Sequence, residues 1–260
     1  MTSALLAFAA GLLIATVTTP VGVSGAVFLL PVQLSVLHVP SPAVTPTNLL
    51  FNVVAGPGAL LRYLSTGDLA GSLTRLLLIG TLPGVVLGAV IRVFAVPGPR
   101  VFRLIVAAVL LPLGVWLCVR AARPAAGSKP VKPLPDRLLV ILGVGAGTIG
   151  GIYGIGGGSL LGPILAGRGL PIAQVAPAVL TSTFLTSIVG AAGYGVLALV
   201  TTGDIAPDWF LGLLCGAGGL VGGYLGAHLQ PRLPERALRF LLGGLAAALA
   251  ALYAVQATTG

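Results

Sequence analysis

Charged residues are scarce in this chain of 260 residues: they make up 7% of the sequence, against about 25% in an ordinary soluble domain. Hydrophobic residues account for 57%, and the mean hydropathy is +1.09. A soluble fold cannot hide that much apolar surface, because too few polar side chains are left to cover it. The composition therefore excludes a soluble domain and indicates a protein embedded in a lipid bilayer.

Acidic residues, cysteine and histidine are also few, at five, two and two. No Asp, Glu, Lys or His lies securely within an apolar segment, so the sequence shows no buried proton relay of the kind found in many pumps. Cys118 and Cys215 each lie inside an apolar stretch, which favours packed thiols over a disulfide or a metal site. No Gly-x-x-x-x-Gly-Lys-Ser/Thr pattern occurs, so an ATP-driven pump is not supported and no cofactor is expected.

Basic residues give the chain a net charge of +9, but they are scattered through loops between apolar segments rather than gathered on one face. This scatter argues against nucleic-acid binding and favours the loop bias of a membrane protein. The N-terminus lacks a basic region ahead of its apolar run, so we expect that run to belong to the fold and not to a cleaved signal peptide.

Apolar segments follow one another along almost the whole chain. A helix needs about 20 mainly apolar residues to cross the hydrocarbon core. Runs such as 104–113 show no alternation of polarity, so an all-α bundle is predicted rather than a β-barrel. The segments cover residues 3–17, 25–37, 43–61, 72–91, 101–120, 137–149, 158–167, 174–200, 207–229 and 236–256.

The chain divides near its middle into two similar halves. Residues 121–136 are rich in proline and basic side chains, which predicts an aqueous, cytoplasmic linker between a first membrane repeat, 1–120, and a second, 137–260. Internal similarity of this kind is common in transporters. Gly11, Gly22, Gly25 and Pro31 match Gly143, Gly154, Gly157 and Pro163 at an offset of 132, and Thr47, Asn48, Asn52 and Gly56 match Thr181, Ser182, Thr186 and Gly190 at 134.

Each half contains a stretch that does not propagate a helix, residues 18–25 and residues 150–159. Glycine costs about 1 kcal/mol against alanine inside a helix and proline about 3 kcal/mol, so these clusters predict two helices broken inside the membrane. The flanking arms, of about 10 to 15 residues, are too short to cross alone, which predicts re-entrant hairpins whose tips reach the midplane. Close helix packing through glycine is the alternative explanation.

Basic residues orient this arrangement. If each hairpin returns to its own side of the membrane, each half holds three further spans and the second half is inverted relative to the first. Most basic residues then lie on one side of the membrane, and Arg92, Arg100 and Arg103 lie on the other. The positive-inside rule then places both termini outside the cytoplasm, in a multi-pass protein of the cell membrane. The residues that share the cytoplasmic side are Arg62, Arg75, Arg120, Arg123, Lys129, Lys132, Arg137, Arg168, Arg232, Arg236 and Arg239.

Broken helices expose backbone N–H groups that can hold an anion without a buried cation. Ser24 and Gly25 precede a predicted helix from Ala26, and 156–159 precedes one from Leu160. Capping of the helix by the serines is the alternative role. A second polar set, which includes Asn48 and Asn52 on one helix face, should point toward the breaks, unless it serves interhelical hydrogen bonding alone. The candidate substrate-binding residues are Thr19, Gly22, Ser24, Gly25, Asn48, Asn52, Tyr153, Gly154, Gly156, Gly157, Gly158, Ser159, Ser182, Thr183 and Thr186.

The run Gly150-Gly151-Ile152-Tyr153-Gly154-Ile155-Gly156-Gly157-Gly158-Ser159-Leu160-Leu161-Gly162-Pro163, followed by Ala176, Thr181-Ser182 and Gly203-Asp204, resembles the TauE/SafE family of membrane permeases. A looser copy runs from Gly11 to Gly67-Asp68. The resemblance implies transport of sulfite, thiosulfate, sulfonates or similar small anions. In the first copy Ala26 replaces a glycine, so the two half-sites are expected to contribute unequally.

A secondary transporter that exposes the two breaks alternately to each side is therefore the leading hypothesis, with an anion channel built on the same glycine-lined site as the alternative. An intramembrane enzyme is not expected, because Ser24 and Ser159 have no His, acid or Lys at a recognisable spacing. The small anion and the lipid bilayer are the expected partners. A coupling ion, proton or sodium, and assembly into a homo-oligomer stay open.

Overall fold

A computed structural model describes residues 2–65, 69, 71–95, 111–112, 114–116, 118–119, 122, 134–200 and 205–259. Regular structure in these residues is helical, as the apolar segments predict. Two short 3-10 turns, Thr19–Val21 and Gln230–Arg232, continue two of the helices. The α-helices are α1, Thr2–Thr18; α2, Ala26–Ser35; α3, Ser41–Leu64; α4, Ser72–Phe94; α5, Asp136–Tyr153; α6, Leu161–Gly167; α7, Ile172–Val200; α8, Trp209–Leu229; and α9, Glu235–Thr259.

Seven helices of the described chain are long and apolar enough to cross a membrane, which makes this a multi-pass membrane protein. Only α2 and α6, with 10 and 7 residues, fall short of that length. The expectation that both arms of each hairpin are short is wrong for the first arms, because α1 and α5 have 17 and 18 residues. In α5 the residues Gly150 to Tyr153 stay helical, and packing against α4 offsets their low helix propensity.

Parts of the predicted organisation lie outside the described residues. These parts are most of the segment 101–120, the Gly-Asp pairs at 67–68 and 203–204, and the linker over 121–136 apart from Ala122 and residues 134–136. At the end of this linker, α5 already begins at Asp136.

Glycine stripes bring α4 and α5 into backbone contact. Three glycines of α4, four residues apart, face three glycines of α5 at the same spacing, so the two helices run parallel. A side chain at any of these positions would overlap the facing backbone, which explains the glycine spacing. Methyl groups added at Gly80, Gly84 and Gly88 would lie 2.9, 3.0 and 3.0 Å from the Cα atoms of Gly143, Gly147 and Gly151.

The same parallel packing joins α8 to α1. Glycines of α8 lie directly against the backbone of α1, so the first helix of each half packs on a helix of the other half. The contacts are those of Gly218 with Phe8, Gly222 with Leu12, and Gly226 with Thr16. Helices from the two parts of the chain therefore pack on each other in pairs, α1 on α8 and α5 on α4.

These contacts define two ends of the bundle. α4 and α5 begin at the same end of the bundle. The end of α3, which precedes α4 in the chain, and the start of α7 lie at this end too. A cavity of about 320 Å³ there is lined by Ser72, Asp136, Leu165 and Gln174. The α5–α6 hairpin thus returns to the end from which it entered. We call this the basic end, since its described residues include Arg62, Arg75, Arg137, Arg168, Arg232, Arg236 and Arg239.

The α1–α2 hairpin enters from the opposite end. Its arms pack antiparallel, with Leu29 of α2 in one apolar cluster with Ala7 of α1, and with Phe51 of α3. Arg92, near the end of α4, lies at this opposite end. The two hairpins therefore start from opposite ends of the bundle.

Candidate substrate site at the two helix breaks

The two breaks form matching turns. Gly22 and Gly154, which correspond in the two halves, both adopt the left-handed conformation, with φ of 74° and 71°. In the first turn the Val23 N–H donates to Thr18 O at 3.2 Å, and in the second the Ile155 N–H donates to Gly150 O at 3.2 Å. These turns end their helices as glycine C-caps do. The first break is confirmed, while the second begins at Gly154 and not at Gly150.

Each turn packs against a helix of the other half. A methyl group at Gly22 would lie 2.6 Å from Ala176 Cα of α7, and one at Gly154 would lie 2.9 Å from Asn48 Cβ of α3 and overlap Thr45 O. Neither glycine tolerates a side chain, both for its φ and for this contact. The breaks are thereby held together between α3 and α7.

Asn52 of α3 joins the two breaks directly. Its Oδ1 accepts a hydrogen bond from Ser24 Oγ, and its Nδ2 donates to Gly154 O at 3.4 Å. Asn48 donates from Nδ2 to Ala26 O at 3.1 Å. Both asparagines are buried, at 0% and 3% exposure, so the expectation that their face points toward the breaks is confirmed.

Hydroxyl groups of α7 hold the second break. The Gly157 N–H donates to Thr186 Oγ1 at 3.0 Å, and Thr186 Oγ1 donates in turn to Ser182 O at 2.7 Å. Ser159 Oγ donates to Ile155 O at 2.8 Å and lies 3.4 Å from Thr183 Oγ1. Ser159 therefore does not cap the following helix, which begins at Leu161, because its hydroxyl points back to Ile155.

Ser24 behaves differently, because its Oγ accepts a hydrogen bond from the Ala26 N–H at 3.2 Å. This bond caps the first turn of α2, while the hydroxyl hydrogen goes to Asn52. The Ser24 side chain thus both accepts from an N–H of the first turn of α2 and contacts Asn52 of α3.

Thr81 of α4 contacts the candidate site, and the sequence did not predict it. It lies 2.9 Å from Ser182 Oγ, and because Thr81 Oγ1 already donates to Leu77 O at 2.8 Å, the serine is the donor. A methyl group at Gly157 would lie 2.7 Å from Thr81 Cβ. A buried hydroxyl inside an apolar span needs a partner, and this was the signal available in the sequence.

Several polar groups at the breaks have no partner within the described residues. The backbone N–H groups of Gly156, Gly158 and Ser159 have no acceptor there. The side-chain oxygens of Asn48 and of Ser187 are buried without a hydrogen bond. Unsatisfied buried groups are expensive, and a bound ligand or ordered water is the usual reason that they persist.

A small cavity of about 30 Å³ lies beside the first break. Five of the predicted site residues line it together: Thr19, Ser24, Gly25, Asn52 and Thr183. The remainder of its lining is apolar or glycine, and none of the described lining residues is ionisable. A ligand here would meet neutral hydroxyl, amide and backbone groups.

Other predicted residues do not line this cavity. Tyr153 is the last residue of α5 and packs in the main apolar core. Gly156 has a φ of 73°, and a methyl group there would overlap Thr183 Cγ2. Gly158 packs so closely on α7 that a methyl group would overlap Val179 O. These residues shape the break.

Comparison with known families gives one match over nearly the whole chain: the family model described as sulfite exporter TauE/SafE matches residues 7–253. No curated protein and no solved structure matches.

Proposed function

The chain belongs to the sulfite exporter TauE/SafE family, whose members are membrane transporters of sulfur anions and not enzymes, and on that premise we propose that it moves sulfite, thiosulfate or a sulfonate by alternating access at the two helix breaks. The substrate site that we propose comprises the small cavity with the N–H groups of 156–159 and the polar faces of α3 and α7. Its expected occupant is a small anion.

One observation carries this proposal: at the second break, the buried backbone N–H groups of Gly156, Gly158 and Ser159 have no acceptor within the described residues. N–H groups and helix N-termini attract negative charge, and they do so strongly where water is excluded. With no ionisable side chain among the described residues of the cavity, binding of an anion does not need to displace a counterion. Broken helices of this type hold substrates at the midplane of other transporters.

We also propose that the two halves are inverted repeats, each a broken re-entrant hairpin with three spans, and that the basic end is cytoplasmic. The packing of α1 on α8 and of α5 on α4, each pair joining the two halves, supports the repeat, and hairpins that enter from opposite ends support the inversion. The excess of arginine at the basic end supports the orientation, with both termini outside the cytoplasm.

The function is tested with the purified protein in liposomes. We expect saturable uptake of sulfite or thiosulfate, and acceleration of labelled uptake by unlabelled anion inside the vesicle, because an alternating site carries substrate in both directions. Uptake that stays linear with concentration and shows no counterflow would indicate the anion channel instead. Absence of flux for sulfite, thiosulfate, sulfate and small sulfonates would contradict the proposal.

Thr186→Val is expected to lower sulfite uptake about tenfold while the protein folds normally. Valine keeps the shape of threonine but removes the oxygen that accepts from Gly157 N–H, and a buried N–H left unpaired costs about 1 to 3 kcal/mol. Thr181→Val is the matched control, since the Thr181 hydroxyl donates to Pro177 O of its own helix and has no other hydrogen bond within the described residues. The initial rate of sulfite uptake in liposomes measures the effect. Equal rates for the two variants would show that the Thr186 hydroxyl has no role in transport.

A further inference from the structure

We infer that a third cavity, also at the basic end but separate from the one beside Ser72 and Asp136, is the access vestibule of the substrate site and that Arg62 attracts the anion into it. This inference rests on the proposed function. It concerns a region that the sequence motifs do not reach, at the ends of α3 and α8 and the start of α7.

The vestibule has a volume of about 270 Å³ and opens at the basic end. Its walls include Arg62 and Tyr63 of α3, Pro177 of α7, Ala227 of α8, and Gln230 of the 3-10 turn that follows α8. It is therefore much larger than the cavity of about 30 Å³ at the first break.

The two cavities lie in line between the same three helices. The small cavity is lined by Ala59 of α3, Leu180 of α7 and Gly223 of α8. The corresponding vestibule residues, Tyr63, Pro177 and Ala227, are three or four positions away, which is about one helical turn or 5.4 Å. On each helix the step leads toward the basic end, so a solute leaving the small cavity in that direction enters the vestibule.

At the level of the small cavity, α3 and α8 pack closely: a methyl group at Gly223 would lie 3.3 Å from the backbone N of Ala59. In the proposed access path, a shift of either helix at this contact opens the way between the two cavities.

The vestibule also touches the first break itself. The Gln230 side chain donates from Nε2 to Pro20 O at 2.8 Å, and a methyl group at Gly226 would lie 3.0 Å from Thr19 Cβ. Thr19 lines the small cavity as well. The turn that ends α1 thus contacts both cavities, so a movement of this turn would change the shape of each.

The charges of the vestibule favour an anion. Glu235 forms an ion pair with Arg239 at 3.0 Å and accepts from the Ile172 N–H at 3.2 Å, so its negative charge is compensated. Arg62 donates from Nη1 to the neutral hydroxyl of Ser65 at 2.7 Å, and its Nε is buried without an acceptor. Among the described lining residues, the positive charge of Arg62 is therefore the one left uncompensated. A concave wall concentrates such a field and raises the local anion concentration.

Orientation of the protein is the competing explanation for an arginine at this end. Arg75 provides the comparison, because it lies at the basic end on the exposed surface of α4 and does not line the vestibule. If these arginines only orient the protein, replacing either of them should have the same effect on uptake. If Arg62 recruits the anion, only its replacement should weaken uptake.

The experiment measures sulfite uptake in liposomes at low and high salt for wild type, Arg62→Gln, Arg62→Lys and Arg75→Gln. For Arg62→Gln we expect a half-saturation concentration about five- to tenfold higher at low salt, an almost unchanged maximal rate, and a weaker dependence on salt, since recruitment by a charge is screened by ions. Arg62→Lys keeps the charge and should stay within about twofold of wild type. Arg75→Gln should behave as wild type.

An Arg62→Gln variant with unchanged half-saturation, or one matched by Arg75→Gln, would overturn the inference while wild-type uptake still supports the proposed function. Failure of wild-type uptake would count against the proposed function. Thermal unfolding of each variant excludes a folding defect, and an Arg62→Gln variant that loses maximal rate at unchanged half-saturation would likewise overturn the role in recruitment.

Discussion

Replacement of Gly157 by leucine is expected to reduce sulfite flux to below about 1% of wild type. The position has no room, because a methyl group would already lie 2.7 Å from Thr81 Cβ and 3.1 Å from Gly147 Cα. Leucine would force the break away from α4 and α5 and pull the Gly157 N–H from Thr186, and overpacking of this kind costs about 1 to 3 kcal/mol or more. The loss should appear as an absent uptake phase in liposomes.

Gly145→Leu is the matched control for this prediction. Gly145 lies on the same hairpin, in α5, but a methyl group there meets nothing within 4 Å. The control should keep its flux and its yield from the membrane. Where Gly157→Leu folds poorly, Gly157→Ala gives the test, since its smaller side chain meets the same Thr81 contact and should lower the rate partly. Wild-type flux in both Gly157 variants would remove the second break from the transport site.

Replacement of Asn52 by alanine is expected to raise the half-saturation concentration for sulfite at least about tenfold. Asn52 joins the breaks, because it accepts from Ser24 and donates to Gly154 O at 3.4 Å. Each buried hydrogen bond contributes about 0.5 to 1.5 kcal/mol, and the groups left behind become unpaired. Without this link the two breaks no longer hold one geometry around the anion. Uptake against sulfite concentration measures the effect.

Thr47→Val separates this effect from a general loss of stability. Thr47 lies on the same helix, donates to Ala43 O at 2.7 Å and accepts from the Asp208 N–H at 2.8 Å, away from the breaks. The variant should lower the unfolding temperature and leave the half-saturation concentration unchanged. An equal shift in half-saturation for Thr47→Val and Asn52→Ala would show that the effect of Asn52 is structural.

A double-mutant cycle isolates the Ser24–Asn52 contact. Ser24→Ala alone leaves Asn52 Oδ1 without its donor, and Asn52→Ala alone leaves the Ser24 hydroxyl without its acceptor. The double variant should therefore weaken sulfite affinity by less than the sum of the two single changes. Strict additivity would argue that the two side chains act independently.

The sequence located the broken helices but misjudged one boundary, for a physical reason. Helix propensity treats Gly150 and Gly151 as breakers, yet in the folded chain Gly151 lies against Val85 O of α4, and its missing side chain permits that contact. A glycine that breaks a helix and a glycine that lets two helices touch have the same local cost. The facing helix decides between them, and no local pattern identifies that helix.

The polar face of α3 was predicted correctly because Asn48 and Asn52 are four residues apart and expensive to bury without partners. The hydrogen-bond partners of these asparagines could not be predicted from their spacing. Asn52 donates to Gly154, 102 residues further along the chain. Thr81 was missed because a single threonine within an apolar segment commonly bonds its own helix, as it does to Leu77 here.

By itself, the sequence determined that this protein spans a membrane and that its helices stop at two points, since composition and the cost of glycine or proline act locally along the chain. Only the tertiary structure decided which helices pack across the two parts of the chain, that Asn52 ties the two breaks together, and that a cavity beside Arg62 lies about one helical turn from the small cavity. Such features depend on contacts between residues distant in the chain, and their geometry is set by packing.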